Sequence, residues 1–250
     1  MSVKRVGFII TFITSVMLCS TSVFSQDKIR AAVAANFIKP FNEIALSFEK
    51  QSGIKVEATF SSTGNLYSQI TNGAPYDIFL SADEERPAKL YKDGLTGAVF
   101  VYAKGEVILW SLKKDFCRSK DWKDAIKKDD IKKLAIANPA TAPYGLAAET
   151  ALKKTELLET VKSKLVNSQD IAMAFQYSST GAVDAGFCAM SAANSGEGKK
   201  GCYYRVKEAP EIIQSACVLK KSENITAAEK FAKFLGSPEA LKIKKKYGYK

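Results

Sequence analysis

Beyond residue 25 the chain alternates between two apolar spacings. From Lys28 the run KIRAAVAA is apolar over a strand's length and breaks at Asn36, after which Phe41, Ile44, Ala45 and Phe48 recur at helical spacing until Gly53. IKVEATF predicts a second strand ending at Phe60, and the polar turn Ser61-Ser62-Thr63-Gly64 opens a helix carrying Leu66 and Ile70. A third strand is predicted from Tyr76 to Leu80, with Ser81-Ala82-Asp83-Glu84 as a capping box for the helix after it. Strand followed by helix, repeated, is the pattern of a parallel sheet with crossover helices, so the fold class is α/β.

The rhythm changes at AVFVYAKGEVILW, residues 98 to 110, which is too long for one crossover unit and holds Gly105 near its middle. Such a segment passes from one domain to another. Then come a lysine-rich helix near Asp121 to Lys128, the strand KLAIA, the turn from Asn138 to Gly145 and a helix to about Lys153. Asp170 is a good N-cap for a helix with Ile171, Ala174 and Phe175 inward. The strand AGFCAMS, a Gly/Lys loop, CYYRV and a second long β run, IIQSACVLKK, follow. Two capped helices close the chain: Thr226-Ala227-Ala228-Glu229 reads as a capping box, and Ser237-Pro238-Glu239 puts Pro at the first helical position. The sequon Asn224-Ile225-Thr226 is better read as part of that cap than as a glycosylation site.

Residues 1 to 25 read as a secretory signal: Lys4 and Arg5 precede an apolar run from Val6 to about Leu18, and small residues stand ahead of Gln26. As a membrane anchor the run is too short and is interrupted by Thr11, Thr14, Ser15 and Ser20; as a lipoprotein signal it has bulky Leu18 ahead of Cys19. The signal removes two of 37 basic residues and none of 26 acidic ones, leaving a net charge of +9. This excess is scattered in lysine pairs with no aromatic-interleaved stripe, which argues against nucleic acid. An exported chain keeps Cys117, Cys188, Cys202 and Cys217, whose three alternative pairings the spacing does not distinguish; Cys188 and Cys217 fall in apolar runs, as buried small hydrophobes do.

With 46% hydrophobic and 25% charged residues the chain is an ordinary globular one, and its histidine count is zero. That absence removes imidazole-based catalytic triads, histidine zinc sites and histidine pH switches. Ser47-x-x-Lys50 and Ser111-x-x-Lys114 match a hydrolase nucleophile pattern, but no companion motif accompanies either, so an enzyme is not expected. Tyr203-Tyr204 resembles the adjacent tyrosines with which some exported proteins hold ferric iron, although neighbours on a strand point to opposite faces. Asp129-Asp130 lacks the spacing of a calcium loop.

Three strand-to-helix turns share one design: Ala35-Asn36, Ser62-Thr63-Gly64 and Ala142-Pro143-Tyr144-Gly145. Helix starts carry unpaired N–H donors and partial positive charge, so several converging on one point bind an anion without lysine or arginine. Any one of these turns alone reads as a helix cap.

Together these residues resemble the periplasmic molybdate-binding proteins of ABC transporters (the ModA family), within the type II solute-binding class. The resemblance rests on AAVAANF, STGNLYSQI with NGAPYDIFLSAD, AIANPATAPYGLAA, DIAMAFQYSSTG leading to AGFCAMS, and SPEA with KKYGY. It implies two α/β lobes joined by two hinge strands with the anion in the cleft between them. Lobe I would take residues 26–105 and 212–250, and lobe II residues 106–211. It also implies oxyanion contacts from Asn36, Ser62, Thr63, Tyr144 and the backbone of Ile171, made through the oxygens with no direct ligation of the metal and no cofactor. Asn36 replaces a more familiar serine, and Ala189 stands where some members place a ligand tyrosine, so the Tyr144 hydroxyl is expected to reach the anion from a different loop. Molybdate or tungstate as ligand, a membrane permease as partner, a monomeric state and a periplasmic location follow from the same resemblance; ferric iron or sulfate as ligand, or an exported hydrolase, are the alternatives.

Overall fold

The computed structural model describes residues 28–250, and the expected signal and Cys19 lie outside the described residues. In chain order the elements are β1 (Lys28–Ala34), α1 (Ile38–Ser52), β2 (Lys55–Ser61), α2 (Thr63–Thr71), β3 (Ile78–Leu80), α3 (Glu85–Lys92), β4 (Phe100–Gly105) and β5 (Val107–Ser111). They continue with α4 (Trp122–Lys127), β6 (Leu134–Ala137), α5 (Pro143–Lys154), α6 (Leu158–Val161), β7 (Leu165–Ser168), α7 (Ile171–Ser179) and β8 (Ala185–Ala189). The last are α8 (Met190–Ala193), β9 (Cys202–Arg205), β10 (Ile212–Val218), α9 (Ile225–Phe234) and α10 (Pro238–Lys246).

These strands form two five-stranded sheets, ordered β2-β1-β3-β10-β4 and β7-β6-β8-β5-β9, one for each lobe of a two-lobed solute-binding fold. The sheets are mixed rather than wholly parallel. β2-β1-β3 and β7-β6-β8 are parallel, built from the strand-helix repeats, whereas β10 runs antiparallel to β3 and β4, and β5 runs antiparallel to β8 and β9. The chain leaves the first sheet between β4 and β5 and returns between β9 and β10, and Ile212 pairs with Gly105 where the two crossings lie side by side.

Each sheet is covered on both faces, which explains its uninterrupted apolar strands. In β5, Val107 and Leu109 join one core cluster with Trp122, Ala148 and Phe187, while Ile108 and Trp110 join the opposite one with Cys188 and Met190. On the first sheet Phe41, Ile44 and Phe48 of α1 pack with Phe231 and Ile78, each such side chain contributing ~1.5–3 kcal/mol through burial. Cys117 and Cys202 form a disulfide that ties the segment before α4 to edge strand β9, and Cys188 and Cys217 are free and buried.

Two expected capping boxes are not formed. Ser81 accepts from the Asp83 amide at 3.1 Å, and Asp83, not Glu84, caps α3 by accepting from Arg86 N at 3.0 Å; the guanidinium of Arg86 holds the same carboxylate in place. Thr226 lies inside α9, whose N-cap is Asn224, and the Asn224 side chain donates instead to the fully buried Asp77 carboxylate at 3.3 Å. A buried acid that needs several donors outcompetes a local cap.

Candidate functional site

The starts of α2, α5 and α7 and the single turn after β1 meet where the two lobes face each other. Ser62 is the extended N-cap of α2, and its Oγ accepts from Asn65 N at 3.4 Å. Thr63 Oγ1 accepts from Ala82 N at 3.0 Å. Both residues are buried, and because each hydroxyl oxygen accepts from a backbone amide, its proton remains to be donated elsewhere. α5 begins with Pro143, which has no N–H, so Tyr144 supplies the first amide of that helix. In α7 the Asp170 carboxylate takes the amides of Ala172 and Met173 and its carbonyl takes that of Ala174, so the Ile171 amide is the donor of that turn which the cap does not use.

A narrow cleft lies between these turns. Asn36, Ser62, Thr63, Tyr144 and Ile171 all line it, together with Ser61, Ala82 and Asp170. No lysine or arginine among the described residues does, so helix starts and oriented N–H and O–H groups are the donors it offers an anion. A wider groove beside it is lined by Asp83, Glu84, Glu85 and Glu211 against Arg86 alone, a charge balance that repels anions.

The structure differs from the expectation in how two of these residues contribute. Asn36 Nδ2 donates to Gln214 Oε1 at 2.7 Å and to the Tyr249 hydroxyl at 2.9 Å, so both of its side-chain protons are used away from the cleft. The Tyr144 hydroxyl accepts from Gln214 Nε2 at 3.2 Å, among residues that do not line the cleft. A Cβ on Gly105 would overlap that hydroxyl, which is why the crossing between sheets needs glycine there. Asn36 and Tyr144 therefore present main chain to the cleft, because their polar tips are better satisfied in the buried network behind it. Burial pushes the phenols of Tyr102, Tyr144 and Tyr249 above the usual tyrosine value, so all three stay protonated. Ala189 is buried and borders a neighbouring cavity that shares Asn36 and Ile171.

Sequence reasoning missed Ser61 at the cleft and Gln214, Tyr249, Tyr102 and Ser191 behind it. Two signals were present: an amide inside the apolar run IIQSACV, and a tyrosine ending KKYGY. Neither the tyrosine pair nor Ser111 assembles a site. Tyr203 is exposed on edge strand β9, while the Tyr204 hydroxyl donates to Ser119 O at 2.8 Å, and neither lines the cleft. Ser111 Oγ donates to Asp184 O at 2.6 Å and is fully buried, which leaves no nucleophile exposed there.

Residues 29–250 match a family model described as bacterial extracellular solute-binding protein. The molybdate-binding protein ModA of Azotobacter vinelandii is 42% identical over 232 residues, 89% of each chain. That of Rhodobacter capsulatus is 41% identical over 221 residues, covering 88% of this chain and 86% of the relative. The solved Azotobacter vinelandii periplasmic molybdate-binding protein superposes with a TM-score of 0.84 at 32% identity, over 89% of this chain and 98% of that one.

Proposed function

We propose, from the premise that this chain belongs to the bacterial extracellular solute-binding proteins and within them to the ModA molybdate-binding family, that it captures molybdate between its lobes and delivers it to an ABC transporter permease. The observation that carries this reading is the convergence of three helix starts and two buried hydroxyls on one cleft that contains no cationic side chain.

The donor set is Ser62 Oγ, Thr63 Oγ1 and the main-chain amides of Asn36, Thr63, Tyr144 and Ile171. Hydrogen bonds to a charged group contribute ~1.5–3 kcal/mol each, and nanomolar affinity corresponds to about 12 kcal/mol, so six such donors are sufficient after dehydration. Donors alone suit an oxyanion that is fully ionised at neutral pH. The one carboxylate in the lining, Asp170, accepts the amides of Ala172 and Met173 of its own helix through Oδ1. Sulfate matches molybdate in charge and shape but is smaller, so donors placed for longer metal–oxygen bonds are stretched around it. Tungstate, with nearly the same size, shares the site.

Residues 1–25 are proposed as the signal that exports the protein to the periplasm, with lobe I formed by 26–105 and 212–250 and lobe II by 106–211. The mature protein acts as a monomer, and the closed lobes present the loaded state to the permease. No reaction is catalysed; the protein binds and releases. Isothermal calorimetry of the mature chain against molybdate, tungstate, sulfate and phosphate tests the reading. Tight one-to-one binding of the first two with no heat from the others is expected, and silence from molybdate overturns it.

A further inference from the structure

We propose that Gln214 is a positioning residue for the anion site: from behind the cleft its amide ties the Asn36 turn of the first lobe to the Tyr144 helix start of the second. The two main-chain donors are then held on the anion together only when the lobes are closed. This rests on the molybdate reading above.

Gln214 is fully buried in β10, at the register shift between Gln214 and Ser215 in the pairing with β4. Its Oε1 accepts from Asn36 Nδ2 at 2.7 Å and from the Tyr102 hydroxyl at 3.0 Å, while Nε2 donates to the Tyr144 hydroxyl at 3.2 Å. With both acceptor positions taken by donors, the amide has one orientation, since reversing it would set an N–H against the amide of Asn36. The Tyr249 hydroxyl donates to the Asn36 carbonyl at 2.8 Å, and Ser191 Oγ donates to the same carbonyl at 2.8 Å. Asn36 is thus held at both its polar groups, Nδ2 on Gln214 and its carbonyl under Tyr249 and Ser191.

Its members come from both lobes. Tyr144 and Ser191 belong to α5 and α8 of the second, and Asn36, Tyr102, Gln214 and Tyr249 to the first. Opening the cleft carries Tyr144 and Ser191 away from Gln214 and Asn36, exchanging buried hydrogen bonds for hydration. The network therefore biases the lobes toward closure without touching the ligand, and its contribution falls on release rather than capture.

The test is calorimetry and stopped-flow binding of molybdate to the mature chain and to Gln214→Met, Tyr144→Phe and the double variant. About tenfold weaker binding is expected from each single change, the size of one buried hydrogen bond, through faster dissociation with association within about twofold. The double variant is expected to bind no more weakly than the worse single one, because both remove the same link. Unchanged affinity in both singles, or losses that add in full, overturns the proposal. If Gln214→Met does not fold, Tyr144→Phe combined with Ser191→Ala carries the same comparison, and an unchanged release rate there also overturns it. A wild-type chain that binds no molybdate overturns the functional reading and this inference together, whereas tight wild-type binding with unaffected variants overturns this inference alone.

Discussion

The amide of Gly64 in one lobe donates to the carbonyl of Thr141 in the other at 2.8 Å, directly beside the cleft. Gly64 lies in the first turn of α2, next to Ser62 and Thr63, and Thr141 ends the loop that leads into α5. The same two turns that supply anion donors therefore also meet each other. A second bond between the lobes, Arg86 Nη2 to the Ala140 carbonyl at 3.3 Å, reinforces this contact on one side.

Gly64→Ala separates closure from folding. A Cβ there would lie 3.0 Å from Thr141 Cα and carbonyl oxygen, backbone atoms that yield only if the lobes part slightly. Within α2 alone, alanine is the better helix former by about 1 kcal/mol. We therefore expect an unliganded melting temperature equal to or above that of wild type and molybdate affinity weaker by about tenfold, the lower end of an overpacking cost. Calorimetry and a thermal melt on one preparation check both signs, and a loss of stability with affinity intact contradicts the geometry.

Ser62→Ala and Thr63→Val each remove one hydroxyl donor from the cleft. Each change should weaken molybdate binding about tenfold or more, on the magnitude of one hydrogen bond to a charged group. Ser62→Ala also removes the N-cap of α2 and should cost about 1 kcal/mol of stability, while Thr63→Val leaves Ala82 N without its acceptor. Titration calorimetry gives the affinities and denaturant titration the stabilities. Molybdate binding at wild-type strength in both variants removes the hydroxyls from the donor set.

Much of this arrangement was legible in the sequence because it is local. Strand-to-helix turns announce themselves through caps and apolar spacing, so the starts at Ser62, Pro143 and Asp170 could be read directly. Convergence of those turns is a property of the crossings between sheets, and the spacing of residues does not encode it. Side-chain direction was the least legible element. Asn36 and Tyr144 read as donors to an anion because their chemistry suits one, but Gln214, some 70 residues beyond Tyr144, offers their polar tips partners in the core. The capping box expected at α9 fails for the same cause: Asp77, far from Asn224 in sequence, draws its side chain away from the helix it begins.

Reducing the disulfide should separate stability from binding. Cys117 and Cys202 close a loop across 85 residues, for which chain entropy predicts about 4.6 kcal/mol of stabilisation. Neither cysteine lines the cleft, and β9 is the outer strand of its sheet. A Cys117→Ser, Cys202→Ser double variant should unfold at lower denaturant by that amount and bind molybdate with unchanged affinity. Weakened binding in a chain that is still folded would show that β9 communicates with the cleft.

Lys244 gives the stability a dependence on alkaline pH. It is 5% exposed on α10, its Nζ donates to the Tyr102 carbonyl on β4, and no carboxylate among the described residues pairs with it. Burial lowers its pKa from 10.5 to about 8. Below pH 8 the ammonium is charged in both folded and unfolded chains and the folded state bears the full desolvation cost, about 3 kcal/mol at 1.36 kcal/mol per unit. Between the two pKa values the unfolded chain binds the extra proton, so stability rises with pH and the burden is gone above 10.5. Lys244→Met removes this titration and leaves the other ionisable groups in place. The stability of wild type minus that of the variant should therefore grow by about 2 kcal/mol between pH 6.5 and 9.5. Urea titrations of both proteins at the two pH values measure that difference, and one that stays constant places the Lys244 ammonium in water rather than in the core.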